Sequence, residues 1–244
     1  MARTAGIIGS GNIGSAVASR LIATGWRVIM ANSRGPGSLG DQAARLGIVP
    51  GTLAEAAAAD LVLIAIPEHA VAALPAGLFS ATPADAIVID AGNYYPGVRD
   101  GSIAAIDAGM PDSAWVAATI GRPVVKMFNT IHAGRIAEGH RAPGAADRIC
   151  LPVAADDPAA RARAIALADE IGFDGLDAGT LADSWRQQPG APVYCTHVPI
   201  GEARAALAQA RAEEIAVKRQ EALARARAWS RQGDAVGQWT PTDR

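Results

Sequence analysis

Short apolar runs rich in Val and Ile alternate along the chain with stretches whose apolar residues recur at helical spacing. The runs cover residues 5–8, 27–31, 61–66, 86–90, 124–128 and 149–153, with shorter ones near Ile48 and Val49 and near Leu176. A run that is apolar throughout, and not only at every second residue, belongs to a strand covered on both faces. Strands that alternate with helices form a mostly parallel sheet. The pattern therefore predicts an α/β fold: a doubly wound, mostly parallel sheet of Rossmann type with a smaller α-helical C-terminal portion.

The punctuation agrees. An alanine-rich segment, 12–24, predicts a helix closed by Gly25, and a second helix over 37–46 ends at Gly47. A third is bracketed by Asp157 as N-cap, Pro158 at the first helical position and Gly172 just past the end. After Gly179 the chain becomes irregular around Trp185, Pro189 and Pro192, then helical from Ile200 to about Arg231, then polar. The terminal helix carries a loose apolar stripe of Ala206, Leu207, Ala210, Ile215, Val217, Leu223 and Trp229, which suits packing on its own domain or on a second subunit.

Composition narrows the function classes. Half of the 244 residues are hydrophobic, enough for a sizeable core. A formal net charge of −2 gives no field to collect polyanions, and Glu213, Glu214 and Glu221 interrupt the arginines of the terminal helix, so no nucleic-acid partner is expected. No apolar run approaches the roughly 18 residues of a membrane span, and the N-terminus lacks a leader pattern. These features predict a soluble, cytoplasmic protein without a membrane partner. Cys150 and Cys195 stand far apart, and His69, His132, His140 and His197 show no HxH or HExxH spacing, so no metal site is expected.

The first strand runs into Gly9-Ser10-Gly11-Asn12-Ile13-Gly14. The first glycine permits the tight turn, Gly11 lets backbone approach a pyrophosphate, and Gly14 lets the helix lie close to the strand. The helix N-terminus then offers N–H groups and partial positive charge to a diphosphate. A preceding strand and a following helix are the context this motif requires for dinucleotide binding. A carboxylate at the end of the second strand would accept from both ribose hydroxyls of NAD and repel a 2′-phosphate. Asn32, Ser33 and Arg34 stand there instead. Arg34 suits bidentate pairing with that phosphate, with Ser33 as a further donor, so NADP(H) is the expected cofactor; the other reading is an exposed turn arginine.

In such sheets ligands gather outside the carboxyl ends of the strands. Those ends place Ile66 and Pro67 at the nicotinamide, with Asn93 and Asn129 as uncharged donors and acceptors for ribose or carboxamide. His132 follows one strand end, as an acid near neutral pH or as a helix-terminal residue satisfied by backbone. His69 suits packing or capping, and Lys126 suits a buried ion pair or contact with a ligand. Trp185, Arg186, Gln187, Gln188 and Tyr194 form an aromatic, amide-rich segment, either a pocket for a planar polar substrate or a loop and subunit contact.

The stretches AIPEHA (65–70), VIDAGNYYP (88–96), VVKMFNTIHA (124–133), LPVAADD (151–157), IGFDGLDAG (171–179) and LADSWRQQPGAPVY (181–194), with GSGNIG and NSR, resemble the coenzyme F420-dependent NADP oxidoreductases and their bacterial relatives. GSGNIG and VVKMFNT are also similar to the reductase domain of the STEAP metalloreductases. The resemblance implies an NADP-binding Rossmann domain over 1–179 and a helical segment over 180–244 that closes the substrate cleft and forms a homodimer contact. It implies that Ser10, Asn12, Ile13, Ser33 and Arg34 bind NADP, with Ile66, Pro67, Asn93 and Asn129 around the nicotinamide. The expected activity is hydride transfer between NADP(H) and coenzyme F420, another deazaflavin, a flavin or a similar small acceptor. Two alternatives stand: reduction of a small carbonyl or imine with His132 as acid, and NADP(H) sensing without turnover.

Overall fold

Backbone hydrogen bonds join six of the apolar runs into one parallel sheet in this computed structural model, which describes residues 3–230. The strands are β1 (Thr4–Ile8), β2 (Arg27–Ala31), β3 (Val49–Pro50), β4 (Leu61–Ile64), β5 (Ile87–Asp90) and β6 (Val125–Lys126), in the order β3-β2-β1-β4-β5-β6. This is the Rossmann order, with the direction of winding reversing between β1 and β4. Between β1 and β6 lie α1 (Asn12–Ala23), α2 (Gly40–Leu46), α3 (Leu53–Ala57), α4 (Glu68–Val71), α5 (Ala104–Asp107) and α6 (Asp112–Ile120). They are followed by α7 (Ala133–Glu138), α8 (Pro158–Glu170), α9 (Ile200–Gln209) and α10 (Ala212–Ser230).

Burial explains why the runs are apolar throughout. On one side Ile7, Leu63 and Ile89 join Leu21 of α1, Ile136 of α7 and Leu167 of α8. On the other, Ile8, Val62, Ile64 and Val88 join Ala56 of α3, Phe79 and Val116 of α6. Alternate strand residues thus serve opposite faces, and neither face meets water.

Three expectations change. The run at 149–153 becomes β7 (Cys150–Val153), which pairs with β8 (Asp174–Asp177) in a separate two-stranded parallel sheet. That sheet touches the main one through an antiparallel bridge between Lys126 and Ala154, and α9 covers it with Ala203 and Leu207. The run at 124–128 keeps only two paired residues, because Phe128 turns to a left-handed φ of 68° and ends the ladder. The terminal helix is two helices: Ala210 is extended (φ −60°, ψ 136°), and the chain restarts as α10. The break turns α10 onto Gly190, where an added Cβ would lie 2.7 Å from the Arg219 nitrogen. Packing here outweighs the helix preference of the local alanines. Leu207, Ala210, Ile215 and Leu223 are buried while Val217 is exposed. Arg231 and the side chain of Trp229 lie outside the described residues.

Candidate functional site

β1 ends in the glycine turn, and each glycine has a distinct reason. At Gly9 (φ 121°) a Cβ would fall 2.3 Å from the Ala65 carbonyl oxygen. At Gly14 it would fall 2.1 Å from the Gly9 oxygen, so α1 lies on its strand only through glycine. At Gly11 it would meet no protein atom within 4 Å. The room at Gly11 therefore faces outward, at the start of α1. That helix has no side-chain cap and no acidic residue in its first turn, so its N–H groups and dipole suit an anion. The cradle fits a dinucleotide diphosphate.

Asn32 builds the neighbouring corner. Its Nδ2 donates to Ser10 Oγ (3.1 Å) and Ser38 Oγ (3.0 Å), while its Oδ1 accepts from the Arg34 backbone N–H (2.9 Å). Gln42 Nε2 donates to the Ser10 carbonyl and to Ser15 Oγ, both at 2.8 Å. Asn32 is thus spent on holding the glycine turn and the Ser33–Arg34 turn in register. Ser33 and Arg34 are exposed, and the Arg34 guanidinium has no hydrogen-bond or ion-pair partner among the described residues. Sequence reasoning missed Ser38 and Gln42, whose spacing carries no motif.

From the glycine turn a cleft of about 430 Å³ runs across the ends of β4, β5 and β6. Gly11, Asn12, Ile13, Ile66, Pro67, Asn93, Asn129, His132 and Tyr194 line it, as do the unanticipated Tyr95, Arg99, Phe128 and Cys195. Gly9, Ser10, Gly14, Asn32, Ser33 and Arg34 lie outside its walls, at or beside the glycine turn. Asn93 and Asn129 hold each other: Asn93 Nδ2 donates to the Asn129 carbonyl (2.9 Å), and Asn129 Nδ2 to Asn93 Oδ1 (3.2 Å). Gln187 completes the clasp by accepting from Asn129 through its carbonyl (2.6 Å) and donating to Asn129 Oδ1 (3.0 Å).

Of the five residues expected at the pocket, Trp185, Arg186, Gln187 and Gln188 do not line the cleft. Gln188 is buried and accepts from Arg219 of α10 (2.7 Å), and Trp185 stacks with the neighbouring Arg186 (5.4 Å to the ring centroid). Trp185 lies in the 3₁₀ helix Leu181–Gln187, and Gln188 is the residue that ends it. The fifth, Tyr194, lines the cleft, its phenol hydrogen-bonded to that of Tyr95. Burial pushes the Tyr95 hydroxyl up to about 12 and the Tyr194 hydroxyl well above its ordinary value, so both stay neutral phenols.

Among the described residues, three non-glycine residues adopt left-handed backbone: Phe128 (φ 68°), Cys195 (φ 57°) and His197 (φ 53°). Phe128 and Cys195 line the cleft, and His197 stands behind His132; such strain concentrates where surrounding structure fixes a site. The His132 backbone N–H donates to His197 Nε2 (3.1 Å), and the two rings meet edge-on at 4.9 Å. Burial, and then Arg135, lower His132, while burial, His132 and Arg135 bring His197 to about 4. An imidazole whose folded value lies below its ordinary 6.5 binds fewer protons folded than unfolded, so stability falls as pH drops from about 6.5 toward 4. His197→Gln is expected to shrink this acid loss, seen as a smaller difference between urea midpoints at pH 7 and pH 5.

Beneath the cleft lies a buried charge cluster. Lys126 pairs with Asp90, as its strand position suggested: its Nζ donates to Asp90 Oδ2 (3.2 Å) and to the Gly92 carbonyl (2.5 Å). Asp90 also accepts from Gly92 N–H (2.9 Å) and Ser113 Oγ (2.5 Å). Glu68 and Asp112 complete the group, and none of the four is more than 1% exposed. Burial pushes Glu68 well up, with Asp90 adding to it, and burial also raises Asp112. The desolvation that would lower Lys126 is outweighed by these carboxylates, so the lysine remains an ammonium. His69, expected to pack or cap, does neither: its side chain is half exposed, with Nδ1 2.9 Å from Asp100 Oδ1.

Among the described residues no cluster of His, Cys, Asp or Glu could hold a metal, and no helix is long and apolar enough to cross a membrane. The family profile "NADP oxidoreductase, coenzyme F420-dependent" matches residues 4–94. A hypothetical protein from Sinorhizobium meliloti, SMa0349, is 31% identical, with 82% of this chain and 96% of that one covered at a TM-score of 0.68. A candidate F420-dependent NADP reductase from Arthrobacter sp. FB24 is 22% identical over 74% of this chain and 86% of its own, at a TM-score of 0.56. The curated Escherichia coli (strain K12) protein YjhV is 41% identical over 74 residues, 30% of this chain and 47% of that protein. The alignment thus spans about half of that curated relative.

Proposed function

Because this chain belongs to the coenzyme F420-dependent NADP oxidoreductase family, we propose that it binds NADP(H) and exchanges a hydride with a deazaflavin, flavin or similar planar acceptor in the 430 Å³ cleft. The observation that carries the reading is one continuous path: an outward-facing Gly11 at an uncapped helix start, an Arg34 without a partner among the described residues beside it, and a cleft leading from Gly11 to Tyr194.

The roles follow from position. The start of α1 holds the diphosphate, and Arg34 with Ser33 takes the 2′-phosphate. Ile13, Ile66, Pro67 and Phe128 supply apolar walls that exclude water from the reacting rings. The clasp of Asn93, Asn129 and Gln187 fixes the floor, and Lys126 anchors the Gly92 carbonyl next to it. The dihydronicotinamide supplies the hydride, so the chain needs no nucleophile; it has to hold donor carbon and acceptor at near contact. His132, kept neutral, offers a hydrogen-bonding imidazole to the acceptor. The segment from residue 180 onward contributes Tyr194 and Cys195, which fits a cleft-closing role.

The test is loss of NADPH absorbance at 340 nm with a 5-deazaflavin, a flavin, a ferric chelate, a carbonyl or an imine as acceptor. Turnover with the deazaflavin or flavin supports the reading. Turnover confined to the carbonyl or imine replaces it with a carbonyl or imine reductase, and tight NADPH binding without turnover replaces it with a sensor.

A further inference from the structure

Arg99 supplies the formal charge of the cleft wall: among the described residues that line it there is no carboxylate and no second Lys or Arg. Its guanidinium is held from behind. Nε and Nη2 donate to Asp100 Oδ2 at 3.3 and 2.9 Å, and Nη2 also reaches the Asn93 carbonyl. Asp100 is itself fully enclosed, accepting from the backbone N–H of Tyr95 (2.9 Å) and of His69 (3.2 Å). Burial alone would raise this carboxyl, but the Tyr95 N–H and Arg99 outweigh it, so Asp100 is a fixed anion. Nη1 of Arg99 has no partner among the described residues, and the side chain keeps one third of its surface exposed (33%). The guanidinium sits 5.0 Å from the Tyr95 ring centroid, beside the hydrogen-bonded phenols of Tyr95 and Tyr194.

A guanidinium with one edge pinned and the other open, set in an otherwise uncharged aromatic wall, is pre-organised for an anion on a flat ligand. We propose that Arg99 determines the specificity for the second substrate, which is a planar aromatic hydride acceptor bearing an anionic group that docks on Nη1. The proposal names the substrate class for the hydride-exchange reading and in that sense rests on it.

Riboflavin and FMN share one ring system and differ by a phosphate, so they probe the anion directly. Binding of each to the NADP⁺-saturated protein is followed by quenching of flavin fluorescence, and turnover is measured separately at 340 nm. FMN is expected to bind about tenfold to hundredfold tighter than riboflavin, the range of a charge-assisted hydrogen bond. Arg99→Met should bring FMN to the riboflavin level while riboflavin and NADP⁺ affinities stay put, and Arg99→Lys should recover part of the gap. Equal wild-type affinities, binding of neither flavin, or a parallel loss of both flavins and NADP⁺ in Arg99→Met would each overturn the proposal. The wild-type comparison decides even if a variant fails to fold. Selective FMN binding without NADPH oxidation would remove the hydride reading and leave the Arg99 site standing.

Discussion

Arg34→Ala is expected to weaken NADPH binding about tenfold to hundredfold and to leave NADH binding unchanged. The guanidinium is exposed at the end of β2 with no partner among the described residues, so its removal disrupts no internal contact. The loss is that of one charge-assisted contact to a phosphate, about 1.5–3 kcal/mol. The turn itself survives, because Asn32 holds it through the Arg34 backbone N–H and Ser10 Oγ, neither of which the substitution touches. Titration of intrinsic fluorescence with each cofactor measures both affinities. Equal losses for NADPH and NADH would detach Arg34 from the 2′-phosphate.

Lys126→Met is expected to cost about 3–5 kcal/mol of stability, the range for removing one partner of a buried ion pair. The ammonium has 0% side-chain exposure and neutralises Asp90 while satisfying the Gly92 carbonyl. Without it, Asp90 becomes an uncompensated buried carboxylate beside Glu68 and Asp112. For a chain of this size the melting temperature should fall by about 6–20 °C. In urea the midpoint should drop at unchanged slope. Adding Asp90→Asn to Lys126→Met should recover part of the loss, because it removes the stranded charge. If Lys126→Met melts within 2 °C of the wild type, roughly the shift that a 1 kcal/mol effect would produce, the pair does not hold the floor of the cleft.

The glycine-turn end of the candidate site is legible in the sequence because its causes are local. Gly9, Gly11 and Gly14 follow an apolar strand and open a helix, and β2 begins and ends with its apolar run at Arg27 and Ala31. Gly25, Gly47 and Gly172 adopt the positive φ values (87°, 77° and 99°) that helix-ending glycines supply. The far end of the cleft depends on contacts across long separations, which leave no periodic trace. Tyr95 meets Tyr194 across 99 positions, and Gln187 meets Asn129 across 58. Nothing in the letters around Arg99 shows that Asp100 turns inward and pins it. The break at Ala210 is equally silent, since alanine, glutamine and arginine all favour helix and only the seat on Gly190 demands a turn. Trp185 drew attention as an aromatic in an irregular segment, but a wall residue is decided by which way a short 3₁₀ turn points it.

Isotope transfer reports hydride exchange at the reacting carbons themselves. The protein is incubated with NADPH carrying deuterium at both C4 positions and a 5-deazaflavin, whose C5–H bond does not exchange with water once formed. Mass spectrometry of the reduced ring should find one deuterium at C5, matched by one equivalent of NADP⁺ still carrying the other. A protein that binds this NADPH tightly yet leaves both deuterium atoms on it, with the deazaflavin unreduced, does not exchange hydride with such an acceptor.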